Sequence, residues 1–256
     1  MRTCRRSAVE QIFVRLPHGV AFFDHAFVVQ MLQVVVRFLS DGFLVGALLF
    51  SSAGTLAWQR AWALLAVLVV VRTLGALMVY RVNFALVRGR AKYALHGEQA
   101  TIDRLLMLAV LATGFLGLPM IAGFDVFRWH VLPQPAPLLG FLGLGLFILG
   151  WCLKNLAMWA NAFATAEVRL QSERAHTVAD SGAYAFVRHP FYAADPLIFI
   201  GLGLWLQSFL TVLCAVVPVS LMMIRIHFEE RFLRRELPGY AEYTVRVPYR
   251  LVPGIW

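Results

Sequence analysis

Apolar residues in this chain gather into long runs. Six can be drawn, over residues 34–57, 62–80, 105–123, 138–159, 193–207 and 209–226. A helix needs roughly 20 mostly apolar residues to cross a bilayer. The first four runs meet that length, although Arg37 and Asp41 interrupt the first. The last two are short, and only Gln207 and Ser208 separate them. They predict a tight helical hairpin that starts and finishes on the same side. The run "LLGFLGLGLFILG" is glycine-rich but lacks GxGxxG spacing and a preceding strand. It reads as a surface for close helix packing.

Composition points the same way. The 256 residues are 60% hydrophobic, with a mean hydropathy of +0.72, against roughly 45–50% apolar in soluble domains. The expected fold is an all-α integral membrane protein of about six transmembrane helices. Residues 1–33 form an N-terminal tail or amphipathic lead-in, residues 34–160 carry helices one to four, and residues 161–256 hold the hairpin and the chemistry. The tail carries Arg2, Arg5, Arg6 and Arg15 but no apolar core followed by a small-residue cleavage site, so no signal peptide is expected.

The formal charge of +9 is distributed unevenly. Basic residues crowd the tail, the second loop, the fourth loop and the C-terminal segment. The first and third loops hold only Arg60 and Arg128, and the hairpin tip holds none. This alternation predicts six spans with both termini cytoplasmic. No basic stretch is interleaved with solvent-facing aromatics, so nucleic acid is not an expected partner. Trp58, Trp62, Trp129 and Trp151 fall near segment ends, as interfacial anchors do. The cysteines Cys4, Cys152 and Cys214 are scattered without a CxxC pair. They suggest neither a disulfide framework nor a metal site, and Cys152 and Cys214 read as packing residues.

Two polar regions flank the hairpin. "GAYAFVRHPFYAADP", residues 182–196, precedes it, and "RIHFEERFLRRELPGYAEY" begins at Arg225. A hairpin that returns to its starting side must bring them together. Arg188 and Arg225 can grip carboxylate or phosphate, and Glu229 and Glu230 can hold a cation. Tyr184, His189, Phe191 and Tyr192 offer flat faces and hydrogen bonds. Pro190 interrupts the chain before the fifth helix. A ligand with a carboxylate, an ammonium, a positive centre and an aromatic base suits this mixture. S-adenosylmethionine has all four, and a phospholipid head group also fits.

The pattern G-x-Y-x-x-x-R-H-P-x-Y, then R-I-x-x-E-E, then a tyrosine-rich tail resembles the isoprenylcysteine carboxyl methyltransferases and their bacterial relatives. The resemblance is strong over about residues 161–256. It implies S-adenosylmethionine as cofactor, held by Gln171, His176, Thr177, Val178, Ala179, Tyr184, His189, Pro190, Phe191, Tyr192 and Glu229, with Arg188 beside them. It makes Arg225 the substrate-side arginine. Asn161 and Arg169 are candidates to line the substrate side. Ala194 stands where the family usually has glycine, which would narrow the approach to the cofactor.

Plainer readings stand beside these. His189 can cap a helix, Glu230 can pair with Arg231 or Arg234 as a solvated charge, and Arg225 can snorkel to lipid phosphates. Asp195 can serve the dipole of the fifth helix, and Arg37 and Asp41 can pair. Asp103 and Asp125 read as helix-end or loop residues, and His227 as interfacial. Methyl transfer to a carboxylate or thiolate needs no base. An amine acceptor requires one, with Glu230 or His189 as candidates.

The expected activity is methylation of an apolar or lipid-like acceptor that enters from the lipid between the fourth and fifth helices. The alternatives are phospholipid N-methylation, methylation of a small thiol, or a membrane scaffold or transporter. Expected partners are the acceptor and membrane lipid, with no obligate protein. The excess of arginine over lysine suggests a bacterial inner membrane.

Overall fold

The computed structural model describes residues 25–82, 101–161 and 177–256, and these are helical with no strand among them. In chain order the helices are α1 (His25–Ala53), α2 (Gln59–Val82), α3 (Thr101–Trp129), α4 (Pro137–Ala160), α5 (Pro190–Trp205), α6 (Phe209–Glu236) and the short α7 (Tyr240–Arg246). Helices α1–α4 and α6 are long and apolar enough to cross a membrane. The protein is thus an all-α integral membrane protein.

Helix α5 has 16 residues, about 24 Å at 1.5 Å per residue, and lies antiparallel to α6 across a tight turn. Two boundaries differ from expectation. Helix α1 begins at His25, inside the stretch read as a tail, and α6 continues past residue 226 to Glu236. The charged end of α6 carries on the apolar helix instead of terminating it.

The hairpin tip is fixed by polar contacts. Gln207 takes a positive φ of 65°. Ser208 caps α6, accepting from the Thr211 amide at 3.0 Å and donating to Asp125 Oδ2 at 2.7 Å. Arg60 Nη1 donates to the Trp205 carbonyl at 2.9 Å, and Trp205 Nε1 returns a bond to the Arg60 carbonyl. Asp125 is indeed near a helix end, but it is buried.

Helix α3 contains π-helical turns at Leu111–Gly117 and Asp125–Trp129. Pro119 has no N–H to continue the regular ladder, and the Leu118 amide reaches back to the Thr113 carbonyl instead.

Helices α4 and α5 touch backbone to backbone. A Cβ on Gly201 would lie 2.5 Å from the Phe147 nitrogen and 2.6 Å from the Gly143 carbonyl oxygen, and one on Gly150 would lie 2.9 Å from the Ala194 oxygen. The glycine-rich run is a packing surface, as its pattern implied. One expectation falls with this contact. The α4–α5 crossing is closed at Gly143, Gly150 and Gly201, so an acceptor cannot pass between the helices there. Ala194 is fully buried, and its carbonyl oxygen lies at the same crossing. Gly201→Leu should lower stability by about 1–3 kcal/mol through overpacking, whereas Gly145→Leu, with nothing within 4 Å, should leave it nearly unchanged. Tryptophan-monitored melting in detergent measures both.

The core joins Leu49, Leu64, Leu118, Phe147, Ile198 and Phe199. Trp62 and Trp129 are exposed, as anchors should be, but Trp58 and Trp151 are buried within the bundle. Arg72 lies over the Trp151 ring at 5.3 Å and donates to Asp41 at 2.7 Å, joining the expected Arg37–Asp41 pair. Cys214 packs against the core, but Cys152 is exposed.

Candidate functional site

The site forms where α5 begins and α6 nears its end. Pro190 opens α5, where its missing N–H costs no helix bond, and His189 is the capping residue with φ −127° and ψ 59°. The preceding turn is held by the C-terminal segment. The amides of Arg188 and His189 donate to the carbonyls of Tyr249 and Arg250, each at 2.9 Å. Arg188 Nη1 also reaches the carbonyls of Val247 and Pro248.

Glu230 is the hub of this end. Its Oε1 accepts from Arg188 Nε at 2.6 Å and lies 3.3 Å from His189 Nε2, while Oε2 accepts from Arg250 Nε at 3.0 Å. It is 3% exposed, so the solvated reading does not hold. Arg234 stands 4.0 Å away and is half exposed; Arg231 is not among the ion-paired residues described. The histidine ring stacks on Tyr192 at 5.7 Å between centroids.

One turn earlier, the Tyr192 hydroxyl donates to Glu229 Oε2 at 2.8 Å and accepts from Arg225 Nη1 at 2.8 Å. Arg225 is 7% exposed, so it does not snorkel. Its Nε and Nη2 face Asp103 at 2.8 and 3.3 Å. Asp103 does sit in the first turn of α3, as expected of a helix-end residue, but it is buried against a partner helix.

Lys154 of α4 pairs with Asp195 and lies over the Phe191 ring at 4.2 Å. The partner of Asp195 is therefore a buried lysine, and a helix dipole is not needed to explain it.

The other predicted residues lie around this centre. Tyr184 is buried, and its carbonyl accepts from the Tyr243 hydroxyl at 2.7 Å. Val178 packs on the cluster of Leu237, Tyr240, Tyr243 and Val247, with Thr177 and Ala179 on either side of it, outside any helix. Asn161 caps α4, next to the Gly182 turn, where a Cβ would lie 3.1 Å from Ala160. Gln171, His176 and Arg169 lie outside the described residues. His227 is exposed and stacks on Trp256.

Lys154 was not singled out from the sequence, and Asp103, Arg250 and Tyr240 were given no role in the site. Lys154 carried a usable signal, a charge inside an apolar run. The Tyr240 hydroxyl is buried with no hydrogen-bond partner among the described residues. Burial, then the negative charges of Glu230 and Glu229, pushes its pKa well above the usual tyrosine range. Burial does the same for Tyr243, so both hydroxyls keep their protons. No group of three His, Cys, Asp or Glu among the described residues is placed to hold a metal ion.

Fold and site together define a helical membrane protein with a buried polar centre at one end of its hairpin. Residues 138–238, which run from α4 through α6, match the model of the phospholipid methyltransferase family. The match supports the coarser resemblance carried by the motifs, to the membrane methyltransferases. A stretch of 113 residues, 43% of this chain, is 30% identical to the cobalt-zinc-cadmium resistance protein CzcN of Cupriavidus metallidurans. The stretch spans 46% of that protein, less than half its length.

Proposed function

We propose that this chain is an S-adenosylmethionine-dependent membrane methyltransferase that resembles the isoprenylcysteine carboxyl O-methyltransferases and acts on an apolar or lipid-like acceptor. The observation that carries the proposal is the direct contact between the Arg188–Tyr192 turn and the Glu229–Glu230 pair. The alternating loop charges support a cytoplasmic location for this end and both termini, and the excess of arginine over lysine supports a bacterial inner membrane.

The residues present fit the cofactor. Glu229 is half-buried and accepts a hydrogen bond from the Tyr192 hydroxyl, and its carboxylate suits an ammonium. The Tyr240 hydroxyl is an unused donor. The stacked His189 and Tyr192 rings offer an aromatic wall. Thr177, Val178, Ala179 and Tyr184 line the same end, and the resemblance adds Gln171 and His176. S-adenosylmethionine supplies a methyl group already activated by its sulfonium.

The protein's task is to align the acceptor with that methyl and exclude water. A carboxylate or thiolate acceptor needs no base. An amine must lose a proton, and His189, oriented by Glu230, is placed to take it. Glu230 itself has both oxygens engaged, and its part is to hold Arg188, His189 and Arg250 in position.

Titration calorimetry of purified protein with S-adenosylmethionine tests the reading. Glu229→Ala should weaken binding about tenfold or more, the worth of a lost charged hydrogen bond, and His189→Ala should also weaken it. Unchanged binding in both variants would remove the site assignment, and no binding by the wild type would favour a scaffold or transporter. A second reading, phospholipid N-methylation, is favoured by the family match. Labelled methyl transfer into a total lipid extract separates it from O-methylation of an apolar acid and from methylation of a small thiol.

A further inference from the structure

The contacts of Arg225 run inward, to the protein itself. Two of its nitrogens meet Asp103 of α3 and the third meets the Tyr192 hydroxyl, which in turn donates a hydrogen bond to Glu229. Four side chains on three helices thus form one directed chain, Asp103–Arg225–Tyr192–Glu229. Each link fixes the next. The carboxylate orients the planar guanidinium through two donors. The guanidinium occupies a lone pair of the Tyr192 oxygen. The hydroxyl hydrogen is then left to point at Glu229.

We infer that Asp103 is a positioning residue, holding the Glu229 carboxylate at the mouth of the site through Arg225 and Tyr192. The inference rests on the reading of Glu229 as a cofactor-binding group. It gives Arg225 a role through Tyr192 rather than on the acceptor, and it ties the start of α3 to the α5–α6 site.

Four variants and the wild type, assayed for S-adenosylmethionine affinity and for melting in detergent, decide the matter. Tyr192→Phe keeps the Asp103–Arg225 pair and cuts the chain. It should weaken cofactor binding about tenfold, within the range for neighbours in one network, with little loss of stability. Asp103→Asn should weaken binding similarly, and combining it with Tyr192→Phe should add little further.

The fourth variant, Asp103→Arg with Arg225→Asp, restores a salt bridge between α3 and α6, yet its aspartate cannot donate to Tyr192. The swap should recover melting but not affinity. Recovery of both would show an ion pair that only braces the helices, and would overturn the inference. Unchanged affinity in Tyr192→Phe would overturn it even if the Asp103 variants failed to fold. Absence of binding by the wild type would remove the methyltransferase reading and this inference with it. Wild-type binding with unaffected variants would remove the inference alone.

Discussion

Glu230→Ala is expected to cost about 3 kcal/mol of stability, because it leaves buried cations without their partner. Arg188 is 4% exposed and has Glu230 as its carboxylate; Arg250, about a quarter exposed, shares it. Arg188 would keep its bonds to the carbonyls of Val247 and Pro248, but these are dipoles and leave a full charge buried. The loss should be local first. Residues 247–250 are held to the Arg188–His189 turn by two backbone bonds and by the Arg250–Glu230 pair, so limited proteolysis should cut the C-terminal segment before the bundle melts. Glu230→Gln, which keeps the shape and one acceptor, should fall between wild type and Ala. Arg234→Ala should change stability by less than about 0.5 kcal/mol, since that arginine is half exposed and 4.0 Å away. Melting in detergent with tryptophan fluorescence orders the variants. Equal melting of Glu230→Ala and Arg234→Ala would show that the cluster contributes nothing.

This contrast marks where the sequence was readable and where it was not. The apolar runs gave the helices, and the two residues between the last runs gave the tight turn, although α6 runs on to Glu236 and is not short. Once α5 returns alongside α6, the Arg188–Tyr192 turn and the glutamate pair must meet, and they do. The glycines of α4 were readable as a close crossing, although the same crossing closed the acceptor route expected there. The pairings across helices were not readable. Asp103 meets Arg225 across 122 positions and Lys154 meets Asp195 across 41, and no local pattern records such matches. Trp58 and Trp151 misled for a related reason. An aromatic near a segment end looks interfacial, but whether it faces lipid or a neighbouring helix depends on the bundle.

The Lys154–Asp195 pair should show its buried setting through opposite pH dependences in two single variants. Lys154→Met leaves Asp195 alone, at 4% exposure, in a place that does not tolerate an unpaired charge. The carboxyl then neutralises by taking a proton. Protonating a carboxylate of ordinary pKa near 3.9 at pH 7 costs about 4 kcal/mol, an upper bound on the destabilisation. That cost falls by about 1.4 kcal/mol for each pH unit toward 4, so this variant should gain stability relative to wild type as the medium is acidified.

Asp195→Asn takes away the lysine's carboxylate, and burial then favours the neutral amine, which has lost its proton. From an ordinary pKa near 10.4 the cost at pH 7 is about 5 kcal/mol, and it falls as pH rises. Replacing both, Lys154→Met with Asp195→Leu, removes both charges and should recover most of the loss, as apolar replacement of buried pairs often does. Melting in detergent between pH 5 and 9 reads all three. Parallel pH curves for the two single variants would mean that water reaches the pair. Because the lysine also lies over Phe191, the double variant tests whether that ring needs the cation. Full stability with weakened S-adenosylmethionine binding would make Lys154 part of the wall of the site, and unchanged binding would confine it to joining α4 to α5.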